Sequence, residues 1–173
     1  MRMRNLVMAA GLAVVFGSAA SAQTLSISSP AFTQGGTIPP KFTCDAANAV
    51  NPALVFSGVP AGTQALVLIM DDPDVPKTMI PSGEFVHWLL WNIDPASNGI
   101  AEGAGTGGVN GMGRPGYMGP CPPDKSHRYF FKLYAVSAKI TGDIKDKAQL
   151  EKAMEGKILQ KAELMANYDR VKK

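Results

Sequence analysis

A chain of 173 residues, 46% hydrophobic and 18% charged, can build one domain with a real apolar core and has no room for a second. Its 17 basic and 14 acidic residues leave only +3, without the electrostatic footprint of a nucleic-acid-binding protein.

The first segment has three parts. Arg2 and Arg4 open it, residues 6–16 are apolar, and Ala20-Ser21-Ala22 offers small residues for cleavage before Gln23. This is the pattern of a secretory signal peptide, and the apolar run is shorter than the roughly 20 residues that span a bilayer. Residues 1–22 are read as that leader and residues 23–173 as the single mature domain, with no transmembrane segment and a periplasmic or extracellular destination. The leader removes two arginines and no acid, so the mature balance is +1.

Period-two alternation and branched or aromatic residues predict strands over 24–28, 53–56, 64–70, 84–93 and 128–137. Proline- and glycine-rich turns separate them, among them Val59-Pro60-Ala61-Gly62 and Asp72-Pro73-Asp74-Val75-Pro76. Short strands so spaced predict a mainly β antiparallel sandwich. From Asp146, Ala148, Leu150, Ala153 and Met154 recur at helical intervals until Gly156, which predicts one short helix. Beyond it, Ala162, Leu164, Ala166 and Tyr168 alternate as in a last strand, with a continued helix as the alternative. Residues 103–123 are rich in glycine and proline and lie between strong strands. They read as an ordered, functional loop.

Cys44 and Cys121 both lie in the mature part. In an oxidising compartment such a pair is expected to form a disulfide, worth roughly 4 kcal/mol by loop entropy. Two free thiols near a ligand site are the alternative.

The chain has only two histidines. Strict alternation places His87 on one face with Phe85, Leu89 and Trp91, and His127 on one face with Tyr129, Phe131 and Leu133. Each alone fits a buried core histidine. Asp72 ends an apolar run in a proline-bounded turn, where an Asx-turn role is the plain reading. If they converge, Asp72 can orient one imidazole while the other ring N–H groups and the Tyr129 hydroxyl face a cavity, with loop N–H groups as further donors. Arg128 has the opposite parity and is expected to form a structural pair.

Asp72-Pro73-Asp74-Val75-Pro76, His87-Trp88, the segment from Gly116 through Cys121 to Pro123, and His127-Arg128-Tyr129 occur in an order that resembles the phosphatidylethanolamine-binding protein family, in its bacterial Raf kinase inhibitor-like branch. The resemblance implies a β-sandwich whose cavity, at Asp72, His87, His127 and Tyr129 with the Pro122-Pro123 segment, Pro122 included, on its rim, accepts phosphate-like or carboxylate anions and phospholipid head groups. The chain departs from the family's pattern at Ala46, Phe56 and Asp124-Lys125-Ser126, the last replacing a more glycine-containing approach to His127.

The expected function is an exported binding protein for such an anion, without cofactor or metal, which binds more tightly as pH falls through the histidine range. The alternative is an inhibitor of an envelope protease or other protein partner. A hydrolase is a third reading, although the sequence has no Gly-x-Ser-x-Gly or His-Glu-x-x-His.

Overall fold

The computed structural model describes residues 24–170, so the leader read at 1–22 lies outside the described residues. Strands β1 (Ser26–Ser28), β2 (Leu54–Ser57) and β5 (Gly99–Ile100) form one sheet, in the order β1-β2-β5. Strands β4 (Phe85–Ile93), β3 (Ala65–Asp72), β6 (His127–Val136) and β7 (Ile158–Tyr168) form the other, in the order β4-β3-β6-β7. All these pairings are antiparallel. The one α-helix among the described residues, α1 (Lys147–Met154), lies near the C-terminus. It is not long and apolar enough to cross a membrane.

Strand β3 is buried at every position because it has apolar neighbours on both faces. Leu66, Leu68 and Met70 join Ile27, Leu54 and Phe56 of the smaller sheet in the core between the layers. Val67 and Ile69 face outward and are covered by Leu150 and Met154 of α1. That helix is started by Asp146, whose side chain accepts from Gln149 N at 2.8 Å.

The last segment is the strand, not the continued helix: β7 pairs along β6 from His127↔Tyr168 to Val136↔Ile158. Sequence alternation does not reveal β5, since two residues carry no period. Arg128 forms the expected structural pair, with its Nε and Nη2 at 2.8 and 2.6 Å from the two carboxylate oxygens of Asp74.

Strict alternation fails in β4. Met70 pairs with Trp88, but the next residue, Asp71, pairs with Val86, so His87 is an extra residue in a β-bulge. The pleat changes phase there. His87 stays on the side of Phe85, with ring centroids 4.9 Å apart, and Trp88 follows it into the core between the sheets. Leu89 and Trp91, expected beside His87, instead pack on the α1 side.

The segment 103–123 is ordered by specific bonds. Leu89 and Val109 exchange backbone hydrogen bonds of 2.8 and 3.0 Å, and the Asn51 carboxamide accepts from Gly105 N at 2.6 Å. At Gly108, with φ of +77°, a Cβ would collide with the Leu89 carbonyl, so the close approach requires glycine. Cys44 and Cys121 form a disulfide, with Cα atoms 5.3 Å apart, instead of standing as free thiols. Beside it Cys44 N donates to Pro120 O at 3.0 Å and the Tyr117 hydroxyl to Phe42 O at 2.8 Å.

Candidate ligand-binding site

The end of β3, the bulge of β4 and the segment after Tyr117 enclose a cavity of about 230 Å³. Its polar side chains are Asp72 and His87, and its walls include Val75, Met79, Ile80, Phe85, Met118 and Pro123. Cys121 also lines it, so the disulfide is part of the wall. Of the expected Pro122-Pro123 rim, Pro123 lines the cavity, whereas Pro122 is buried and does not.

His87 is held from two directions. Its Nδ1 donates to Met118 O at 2.8 Å, while Met118 N donates to His87 O at 3.0 Å. A carbonyl can only accept, so the neutral ring carries its proton on Nδ1 and presents Nε2 as an acceptor. Burial drives the pKa of His87 down to about 4, against the smaller opposing effects of the Met118 carbonyl and the Asp72 charge. At neutral pH the ring is uncharged.

His127 is fully buried and does not line the cavity. Its Nδ1 lies 2.7 Å from Asp72 Oδ2 and its Nε2 2.8 Å from Asp124 Oδ1. Both nitrogens are therefore engaged, and the expectation of a free His127 N–H for a ligand gives way to an orienting role. Burial opposes its charge, but the hydrogen bonds to Asp72 and Asp124 outweigh burial and raise its pKa. The other Asp72 oxygen accepts from Asp74 N at 2.9 Å, which is the Asx turn, so the two readings of Asp72 coexist.

Tyr129 stands beside His87, with ring centroids 5.2 Å apart at 76°, but it is fully buried and, like His127, does not line the cavity. Burial, followed by the charge of Asp72, raises its pKa, so the phenol stays protonated. The glycine loop contributes less than expected. Gly111 N, Gly113 N, Gly116 N and Tyr117 N all donate to carbonyls of the fold, because each loop turn must satisfy its own backbone.

Sequence reasoning did not find Met118, whose backbone holds His87 and which also lines the cavity. It also passed over Phe85 and Ile80 as wall residues. Asp124 was visible only as a departure from a family pattern.

Residues 28–169 match the sequence profile of the phosphatidylethanolamine-binding protein family. The chain belongs to that family. Among curated relatives, a UPF0098 protein of Chlamydia pneumoniae is 43% identical over 150 residues, covering 84% of this chain and 99% of the relative. One from Chlamydia trachomatis is 40% identical over 150 residues, with coverage of 84% and 99%. Among solved structures, a phosphatidylethanolamine-binding protein homolog from Chlamydia trachomatis superposes with a TM-score of 0.81 at 39% identity, covering 86% of this chain and 99% of that one. YbcL of E. coli, described as a new member of the mammalian family, gives 0.74 at 28% identity, covering 85% and 99%. These neighbours share the phosphatidylethanolamine-binding fold seen here.

Proposed function

We propose that this member of the phosphatidylethanolamine-binding family is an exported protein that binds a small phosphate-like or carboxylate anion, free or as a phospholipid head group, together with a proton. The observation that carries this reading is the fixed orientation of His87, whose Nδ1 is occupied by Met118 and whose ring lines the cavity beside Asp72. With neutral His87, both groups accept. A fully deprotonated anion is repelled, whereas one that brings an acidic O–H, or that binds as His87 gains a proton, supplies the missing donor. Tyr129 is buried behind the cavity and supports the His87 ring by an edge contact with centroids 5.2 Å apart.

The apolar wall of Val75, Ile80, Phe85 and Met118 suits the alkyl side of an amphiphile. At about 230 Å³ the cavity is smaller than the roughly 300–1,000 Å³ of sites that enclose drug-sized ligands. It fits a head group, not a whole lipid. Export rests on the leader pattern at residues 1–22.

Calorimetry with inorganic phosphate and with phosphorylethanolamine, on the mature protein and His87→Ala, tests the reading. Saturable heat that disappears in His87→Ala is expected. No binding by the unaltered protein, or equal binding by both, would overturn it.

A further inference from the structure

Asp124 does not line the cavity, yet it is coupled to it. Its side chain is 47% exposed, and its Oδ1 meets Nε2 of His127, a ring with no exposed surface. The opposite ring nitrogen meets Asp72 Oδ2, and Asp72 lines the cavity. Two hydrogen bonds thus join a solvent-facing carboxylate to the pocket wall. In each bond the carboxylate oxygen accepts, so the ring donates from both nitrogens and is an imidazolium. One positive charge is then shared by two negative ones.

The other charged groups around His127 do not cancel this excess. Asp74, in the turn after β3, is neutralised by Arg128 at 2.6 Å. Asp71 points to the other side of the sheet, where Lys132 and Lys147 each lie 2.7 Å from it. His87 on β4 is neutral, and Tyr129 on β6 keeps its proton. The charge of Lys125, next in the chain, has the smallest of the effects acting on Asp124 and offsets it only in part.

We propose that Asp124 sets the ligand preference of the pocket through His127, holding the wall one charge more negative and so selecting singly charged or zwitterionic head groups over doubly charged phosphate monoesters. This rests on the anion-binding reading above. It concerns a residue of this chain's own approach to His127, where the family pattern has a more glycine-containing one.

The test compares the mature protein with Asp124→Asn, which keeps an accepting oxygen and removes the charge, and with Asp124→Glu, which restores the charge. The probes are hydrogen phosphate as a dianion and hydrogen carbonate as a monoanion, each keeping the O–H that neutral His87 can accept, at a mildly alkaline pH at which nitrogen-15 NMR shows His127 still charged in all three proteins. For a charge removed at roughly 10 Å, Asp124→Asn should bind the dianion about three- to tenfold more tightly and the monoanion about two- to threefold. Asp124→Glu should return the preference toward that of the unaltered protein. Nitrogen-15 NMR of the imidazoles should show His127 losing its proton at lower pH in Asp124→Asn. An unchanged dianion-to-monoanion ratio, or an unchanged His127 titration, would overturn the inference while leaving the pocket reading intact. If the unaltered protein binds neither anion, the pocket reading falls and takes this inference with it.

Discussion

Met118 and His87 clasp one another: the amide of Met118 donates to the carbonyl of His87 at 3.0 Å, and Nδ1 of His87 donates back to the carbonyl of Met118 at 2.8 Å. One residue of a glycine- and proline-rich segment therefore fixes the backbone of the bulge and the tautomer of its ring. The chemistry available to the pocket follows from that tautomer.

Binding of a phosphate ligand should take up a proton. Because burial holds free His87 at about 4, the ring is neutral at neutral pH, and an anion that requires it charged must raise its pKa. Affinity should rise as pH falls from 6.5 toward 4, by up to about tenfold per pH unit. The sequence alone places the onset near the ordinary histidine value, and burial moves it lower. Calorimetry in buffers of different ionisation enthalpy reads the proton uptake directly, and a flat affinity across this range would contradict it.

Stability should carry the same signature. The folded-state pKa of His87 is depressed, so between 6.5 and about 4 the unfolded chain binds more protons than the folded one. The contribution is full above 6.5 and is lost as pH falls to about 4, on the order of 3 kcal/mol in all. His127 runs oppositely: its pKa is raised, so its contribution is full below 6.5 and is lost as pH rises through the folded-state value. Urea unfolding across pH should show His87→Gln losing the acid limb and His127→Gln the alkaline one. Superimposable curves would exclude both assignments.

Removing the disulfide should loosen both fold and pocket. Cys44 and Cys121 are 77 residues apart in sequence, a loop whose closure is worth roughly 4 kcal/mol in the chain-entropy account. A Cys44→Ser/Cys121→Ser protein is expected to unfold at a markedly lower urea midpoint. Amide exchange should quicken at Met118, since the lost bond anchors the segment that carries it. A loss of unfolding free energy under about 1 kcal/mol would show that the neighbouring hydrogen bonds suffice.

Lys147 is expected to matter more than other surface lysines. It is 15% exposed and lies 2.7 Å from both the fully buried Asp71 and Glu84, joining α1 to the ends of β3 and β4. Lys147→Met leaves Asp71 with Lys132 alone and one carboxylate oxygen already without a partner, and should cost about 2 kcal/mol. Lys145→Met removes only an exposed pair with Asp143 and should leave the urea midpoint unchanged. Equal effects would refute the distinction.

Much of this was legible in the sequence because the informative segments are strongly periodic. The 64–70 and 128–137 runs became the two central strands, and parity alone placed Tyr129, Phe131 and Leu133 on the face of His127. Parity failed at His87 because a bulge depends on pairing between strands, which no single strand encodes. The two-residue β5 left no signal. Convergence of Asp72 with His127 was readable as a possibility from residue order, whereas the engagement of the second His127 nitrogen depends on where the Asp124 loop turns back. Likewise, the loop N–H groups that the sequence offers to a ligand are committed to carbonyls of the loop and of β4.

The extra residue in β4 has a bearing on inheritance. Deleting one residue at position 87 would let Trp88 and the strand beyond it keep their pairing while restoring the regular pleat to Val86 and Phe85. The sandwich would lose a kink and the cavity its histidine. A protein of the same shape without this histidine is therefore one deletion away, so likeness of architecture within the family does not by itself carry the chemistry of the cavity along.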